Sequence, residues 1–297
     1  MKEHFKTNSI IITAMLLLFV STIAFGQKLE PKERKTEPDH TITSYLLGRD
    51  YQLYISFPKN YSTKDTVSYP VLYVLDGGLV FPIINGTRAI LDSQKELEDL
   101  IIVSISAADF TFRYNDYTTS VSTSTDEKRE KDLNVPKGLF KSGGADKFLA
   151  SMKTEIIPFV DKNYKTNSDR GIFGHSFGGL FTAYCLVNSD GYFTRFGVSS
   201  PAFYWDNEKL LNQAVTQFKE NKTWDIPQTK IFISVGGKEH SGFVPTMVKY
   251  SSYLEQSDYD NIDLKWQIFE GESHRSMYSA NVSKALSILY GKKVVND

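Results

Sequence analysis

The chain has a single cysteine, Cys185, so no disulfide can form within it. It stands among apolar residues in "LFTAYCLV" and reads as a small buried hydrophobe rather than a nucleophile. No excess of either charge is present: 34 Lys and Arg face 35 Asp and Glu, a net −1. That balance excludes a polyanion such as nucleic acid as the main partner. No H-E-x-x-H, Cys/His cluster or phosphate loop occurs, so neither a metal nor a nucleotide cofactor is implied. No long apolar run follows the first few dozen residues, and no repeat or low-complexity linker breaks the chain. With 297 residues, a full core can be buried without metal or disulfide staples.

The beginning of the chain is the exception to this evenness. Lys2 and Lys6 precede an apolar stretch from Ile10 to Val20, and small residues follow near Ala24 and Gly26. This is the order of a secretory signal peptide, expected to span residues 1–26 and to leave Gln27 first. The apolar stretch is short of the ~20 residues that span a bilayer comfortably, and no cysteine ends it. The expectation is a periplasmic or secreted protein with no stable membrane anchor after cleavage. Residues 27–39, "QKLEPKERKTEPD", read as an exposed lead-in, and residues 40–297 as one folded domain.

Within that domain, "YQLYISFP" alternates and suits a strand with one wet face. "PVLYVLDGG", "LIIVSISAA", "GIFGHS", "FGVSSP", "KIFISVGG" and "LKWQIFEG" are mostly continuous apolar runs, as in strands covered on both faces. Helical-period segments lie between several of them: "GGADKFLASMKTEIIPFVDKNY", "GGLFTAYCLVNS", "PTMVKYSSYLEQS" and "SANVSKALSILYG". The alternation predicts an α/β fold, a mainly parallel central sheet with helices on both faces. Residues 109–144 and 200–230 read as polar and irregular. In such sheets ligands bind beyond the carboxyl ends of the strands, where these excursions would shape a pocket.

"GIFGHSFGGLF" fits G-x-S-x-G between a short apolar strand and a helix start, the setting of a nucleophile elbow. Gly174, Gly178 and Gly179 remove side chains that would collide with a strained turn. Ser176 would then be exposed at the positive end of a helix, with the Phe177 N–H free for an oxyanion. A serine hydroxyl needs a base, and the chain has five histidines. His4 and His40 lie outside the core, and His175 neighbours the serine, where consecutive side chains diverge. Of His240 and His274, the second follows the last apolar strand and fits the chain order serine, acid, histidine. Glu239, just beyond "KIFISVGG", is the expected acid. Asp258, Asp260 and Asp263 fall at the opposite edge. The second oxyanion donor is expected in "YVLDGGLVF", at the Gly78 N–H with Leu79 as alternative.

Together with "FRYNDYTTS", "SSPAFYWDN", "ISVGGKEH" and "EGESHRSM", these segments resemble the esterase family that contains esterase D and the enterobactin-type siderophore esterases. The resemblance covers most of the chain after about residue 40. It implies an α/β-hydrolase fold and a serine hydrolase acting on esters, with Ser176 as nucleophile and His274 as base. Glu239 falls where many members carry their acid, though some siderophore esterases are described as relying on a serine–histidine pair. Arg113, Asp116, Tyr117 and Thr118 match the family's run; Thr119 replaces its usual proline. Arg113 and Trp205 are expected at the pocket mouth, where an exposed arginine suits an anionic or catecholate group. Two substrate readings stay open at this point, a siderophore lactone and an acetyl or feruloyl ester on polysaccharide. So do acyl transfer and a catalytically inactive ligand-binding member.

Overall fold

The computed structural model describes residues 37–64 and 66–292. The expected signal peptide, residues 1–26, and residues 27–36 of the lead-in lie outside the described residues. Eight strands form one sheet: β1 (His40–Ser44), β2 (Arg49–Ser56), β3 (Tyr69–Leu75), β4 (Ile101–Ala107), β5 (Thr166–His175), β6 (Arg195–Ser199), β7 (Thr229–Gly236) and β8 (Ile262–Phe269). Their spatial order is β1-β2-β4-β3-β5-β6-β7-β8. β1 and β2 pair antiparallel, as do β2 and β4, and all other pairs are parallel. This is the expected α/β class with a mainly parallel sheet.

The side-chain period of two sorts the strands' residues into two cores. Tyr73, Leu75, Ile105, Ile172, Val198 and Ile233 point to one face. That face is covered by α4 (Ala145–Ser151), a π-turn (Met152–Ile156), α5 (Ile157–Asn163), α6 (Phe177–Asn188), α7 (Lys209–Glu220) and α8 (Val244–Gln256). Leu72, Val74, Ile102, Phe173 and Phe232 point to the other face. There α1 (Gly77–Ser93) and α9 (Ser276–Tyr290) supply Val80, Ile84, Val282 and Leu286.

Three expectations differ from what is observed. β2 keeps a wet face only in its first half, where Asp50 is exposed and Gln52 half-buried; Leu53, Tyr54, Ile55 and Ser56 are all buried. It sits inside the sheet between β1 and β4, and Phe81 of α1 packs on Tyr54 with ring centroids 5.6 Å apart. The stretch after β3, absent from the expected helical-period segments, is the long helix α1; Asp76 takes a left-handed φ of 61° and the helix starts at the next residue. Gly77 lets that helix lie on β4, since a Cβ there would stand 2.7 Å from the Ser104 carbonyl carbon. Finally, the excursions over 109–144 and 200–230 are partly helical, containing α2 (Phe110–Tyr117), α3 (Thr123–Leu133) and α7.

Candidate active site

β5 delivers the chain to a corner that only small neighbours permit. Ser176 has φ 63° and ψ −119°, a region that costs free energy unless the surroundings enforce it. Here the enforcement is close packing: a Cβ on Gly174 would lie 2.2 Å from the Gly178 carbonyl oxygen, and one on Gly179 2.5 Å from that of Ser199. Backbone bonds fix the corner on both sides, with Ser176 N–H donating to Ser199 O at 3.0 Å and Ala202 N–H to Ser176 O at 3.1 Å. α6 begins at Phe177, and Leu180 N–H is the first to close its ladder, on Ser176 O at 2.9 Å. The Phe177 N–H, in the first turn, has no intrahelical acceptor.

The ends of β7 and β8 are stitched together beside this corner. Gly237 N–H donates to Phe269 O and Lys238 N–H to Glu272 O, each at 2.9 Å. These bonds bring Glu239 and His274 to the serine. His274 Nε2 lies 3.0 Å from Ser176 Oγ, and His274 Nδ1 lies 2.5 Å from Glu239 Oε2. A carboxylate can only accept, so Nδ1 carries the proton and Nε2 turns its lone pair to the hydroxyl. The Glu239 side chain is fully buried. Its other oxygen accepts from Ser200 Oγ at 2.5 Å and from the Gly236 N–H at 2.8 Å. Burial pushes this carboxyl up, but the hydrogen bonds from His274, Ser200 and the Gly236 N–H outweigh it and hold it below the ordinary range.

His175 was set aside from sequence because neighbouring side chains diverge at a turn. It nonetheless faces the site. Its ring lies 4.6 Å from that of His274 and 5.4 Å from that of Tyr278, and its Nδ1 is 3.0 Å from Ser199 Oγ. Burial and the adjacent His274 drive its pKa down to about 3. His240, the other candidate, packs on Phe243 and Tyr204 instead.

A cleft of about 950 Å³ opens over Ser176 and His274, a size that suits a drug-sized ligand. Leu79, Val80, Ile83 and Phe110 give it an apolar side, and Arg113 and Arg129 stand in its wall. β3 and β5 are parallel neighbours, so the first turns of α1 and α6 adjoin: a Cβ on Gly178 would stand 3.5 Å from Asp76 Oδ2. Gly78 is in that first turn of α1, where N–H groups lack intrahelical partners. The alternative donor, Leu79 N–H, is engaged by Asp76 O at 3.1 Å.

Two pocket expectations need correcting. Arg113 lines the cleft but is not a free cation, because Asp76 takes it through both carboxylate oxygens, Nε–Oδ1 at 2.5 Å and Nη2–Oδ2 at 2.8 Å. Trp205 is not at the mouth at all. It is 4% exposed and stands behind the wall, edge-on to Phe177 and Tyr114, with its indole N–H donating to Ser120 O at 3.2 Å.

A family model described as "Putative esterase" matches residues 44–286. The chain belongs to this esterase family. The esterase is 27% identical over 253 residues to the ferri-bacillibactin esterase BesA of Bacillus subtilis, covering 80% of this chain and 84% of that one. It superposes on the BES protein from Bacillus cereus with a TM-score of 0.71 at 27% identity, over 84% of this chain and 94% of the other. An IroE-like serine hydrolase from Shewanella oneidensis gives a TM-score of 0.71 at 21% identity, over 84% and 79% of the two chains, a likeness of fold. The esterase is thus a carboxylic ester hydrolase with the α/β-hydrolase fold.

Proposed function

We propose that Ser176, His274 and Glu239 form the catalytic triad of an exported esterase whose substrate is a siderophore-type lactone. The observation that carries this reading is the 3.0 Å approach of His274 Nε2 to Ser176 Oγ, which is hydrogen-bond reach for proton transfer. As Ser176 Oγ attacks the ester carbonyl, His274 Nε2 takes its proton. Glu239, accepting from Nδ1–H, keeps the ring in the right tautomer and stabilises the imidazolium. The Phe177 and Gly78 N–H groups receive the charge that develops on the carbonyl oxygen. His274 then gives the proton to the leaving alkoxide, and a collapsed tetrahedral intermediate leaves an acyl-enzyme. Water attacks that ester with His274 again as base, and Ser176 is regenerated as the acid departs.

The lactone is supported by the ferri-bacillibactin esterase among the relatives and by a cleft with room for a large ligand. Export is supported by the charge, apolar and small-residue order of residues 1–26.

The test is fluorophosphonate labelling of wild type and Ser176→Ala, followed by a substrate panel. Labelling that depends on Ser176, with hydrolysis of a triscatechol lactone, is the expected result. A folded wild type that resists labelling overturns the triad. Turnover of acetylated or feruloylated oligosaccharides in place of the lactone overturns the substrate class. Cell fractionation with N-terminal sequencing tests export, a mature chain beginning at Gln27 being expected.

A further inference from the structure

Arg129 stands in the wall of the cleft, and among the described residues no carboxylate forms an ion pair with it. It is carried there by α3, in the excursion between β4 and β5. Its guanidinium carbon lies 4.9 Å from the ring centre of Tyr114, 5.1 Å from that of Phe140 and 5.4 Å from that of Phe110. Aromatic faces attract a cation and hold its plane, but they do not neutralise it. The Nε is shut off from solvent and has no hydrogen-bond partner among the described residues.

The nearby carboxylates direct their hydrogen bonds to other groups, mostly neutral donors, and none lies within ion-pair distance of Arg129 among the described residues. Asp126, one turn before Arg129 on α3, accepts from Tyr114 Oη at 2.8 Å, Ser142 N at 3.1 Å and Ser142 Oγ at 3.0 Å. Glu130 accepts from the Phe140 N–H at 2.8 Å. Asp76 is paired with Arg113. Asp109 caps α2 through Thr111 N at 2.6 Å. Among the described residues no ion pair involves Arg129, whereas Arg49, Arg88, Arg113 and Arg170 each have one and Arg195 has two. A partly desolvated guanidinium left in this state is costly unless an anion completes it.

We infer that Arg129 is a specificity-determining residue of the cleft, selecting esters whose acyl or alcohol arm carries anionic oxygens. The inference rests on the esterase reading of the same cleft and adds the charge of the substrate and the residue that reads it. Arg113 cannot do this while Asp76 occupies its fork. The apolar side made by Leu79, Val80 and Ile83 would take the uncharged part of the ligand.

The experiment compares two matched sets of activated esters on the full chain. The mono-4-nitrophenyl esters of glutaric and adipic acids are anionic; the 4-nitrophenyl esters of butyric and hexanoic acids are neutral. In Arg129→Gln, kcat/KM for the anionic set is expected to fall by about 10- to 100-fold, while the neutral set stays within about twofold of wild type, which also shows that the cleft is folded. Arg129→Lys should recover part of the loss, and added salt should erode the wild-type preference for the anionic set. Equal losses on both sets, or no loss on either, overturn the assignment to Arg129 and leave the esterase reading standing. A wild-type chain that hydrolyses neither set overturns both.

Discussion

The imidazole of His175 lies 4.6 Å from that of His274, centroid to centroid, with the ring planes 38° apart. Two cationic rings cannot share that spacing cheaply. In the proposed cycle His274 becomes imidazolium, so His175 has to stay neutral, and its pKa of about 3, set by burial and by His274, meets that need.

This pair gives a stability prediction with a definite sign. The folded-state pKa of His175 lies below the ordinary value of 6.5, so between these values the unfolded chain binds more protons. The stability tied to its neutral form is complete above pH 6.5 and is lost as pH falls towards 3. His175→Phe keeps a ring but cannot titrate. Urea unfolding at pH 7.5 and pH 5.0 should show wild type losing about 1–2 kcal/mol more than the variant over that step.

Glu239 and Ser200 give a graded pair. Glu239→Gln retains the size of the side chain but removes the charge facing the imidazolium, so kcat should fall by roughly 10²- to 10⁴-fold, at pH 9 as much as at pH 7. Ser200→Ala removes only one donor, at 2.5 Å from Glu239 Oε1. Its kcat should fall about tenfold with KM unchanged, because the residue touches the carboxylate and not the substrate. Steady-state kinetics on a neutral activated ester distinguishes the two.

The glycines of the elbow and of α1 should respond to alanine in opposite ways. At Gly174 a Cβ would stand 2.2 Å from the Gly178 carbonyl oxygen, and neither backbone segment can move without opening the corner. Gly174→Ala should abolish fluorophosphonate labelling and lower the unfolding midpoint sharply. Gly86 is exposed, lies inside α1 and has nothing within 4 Å of its would-be Cβ. Gly86→Ala should raise stability by about 0.5–1 kcal/mol by restricting the unfolded chain, with activity unaltered.

The Asp76–Arg113 pair, 14% and 20% exposed, should be destabilising to break from either side. Asp76→Asn tolerates the left-handed φ of 61° but leaves Arg113 uncompensated. A loss of about 3 kcal/mol is expected, readable from denaturant midpoints. Asp76→Asn combined with Arg113→Met should recover much of it, since the stranded charge is gone.

What the sequence made legible follows from where steric demands leave marks. Gly174 and Gly179 are written into the chain because a Cβ at either would meet backbone oxygen at 2.2 and 2.5 Å, whereas at Gly178, expected to be equally constrained, the nearest atoms stand at 3.5 Å and a Cβ has room. Strand ends at Gly236 and Phe269 pointed to Glu239 and His274. The partner of Arg113 was not legible, since pairing with Asp76 depends on two helix starts meeting in space. Trp205 looked like a pocket aromatic because its segment borders the site, yet its ring turns inward to Ser120. Helix α3 escaped notice for a different reason. Its buried side chains are Asp126 and Glu130, which hydrogen-bond the following loop, so no apolar stripe marks it. His175 was missed because a rule about consecutive residues ignores how the corner into α6 folds the ring back over His274.

Ser176, Ser200, Glu239 and His274 follow β5, β6, β7 and β8 in turn, whereas Arg129 rides on the excursion between β4 and β5. The proposed proton relay and the proposed reading of charge therefore lie in separate stretches of the gene. Substitution at codon 129 can retune selectivity without touching the relay residues, whereas codons 113 and 114 in the same stretch must keep their contacts with Asp76 and Phe177.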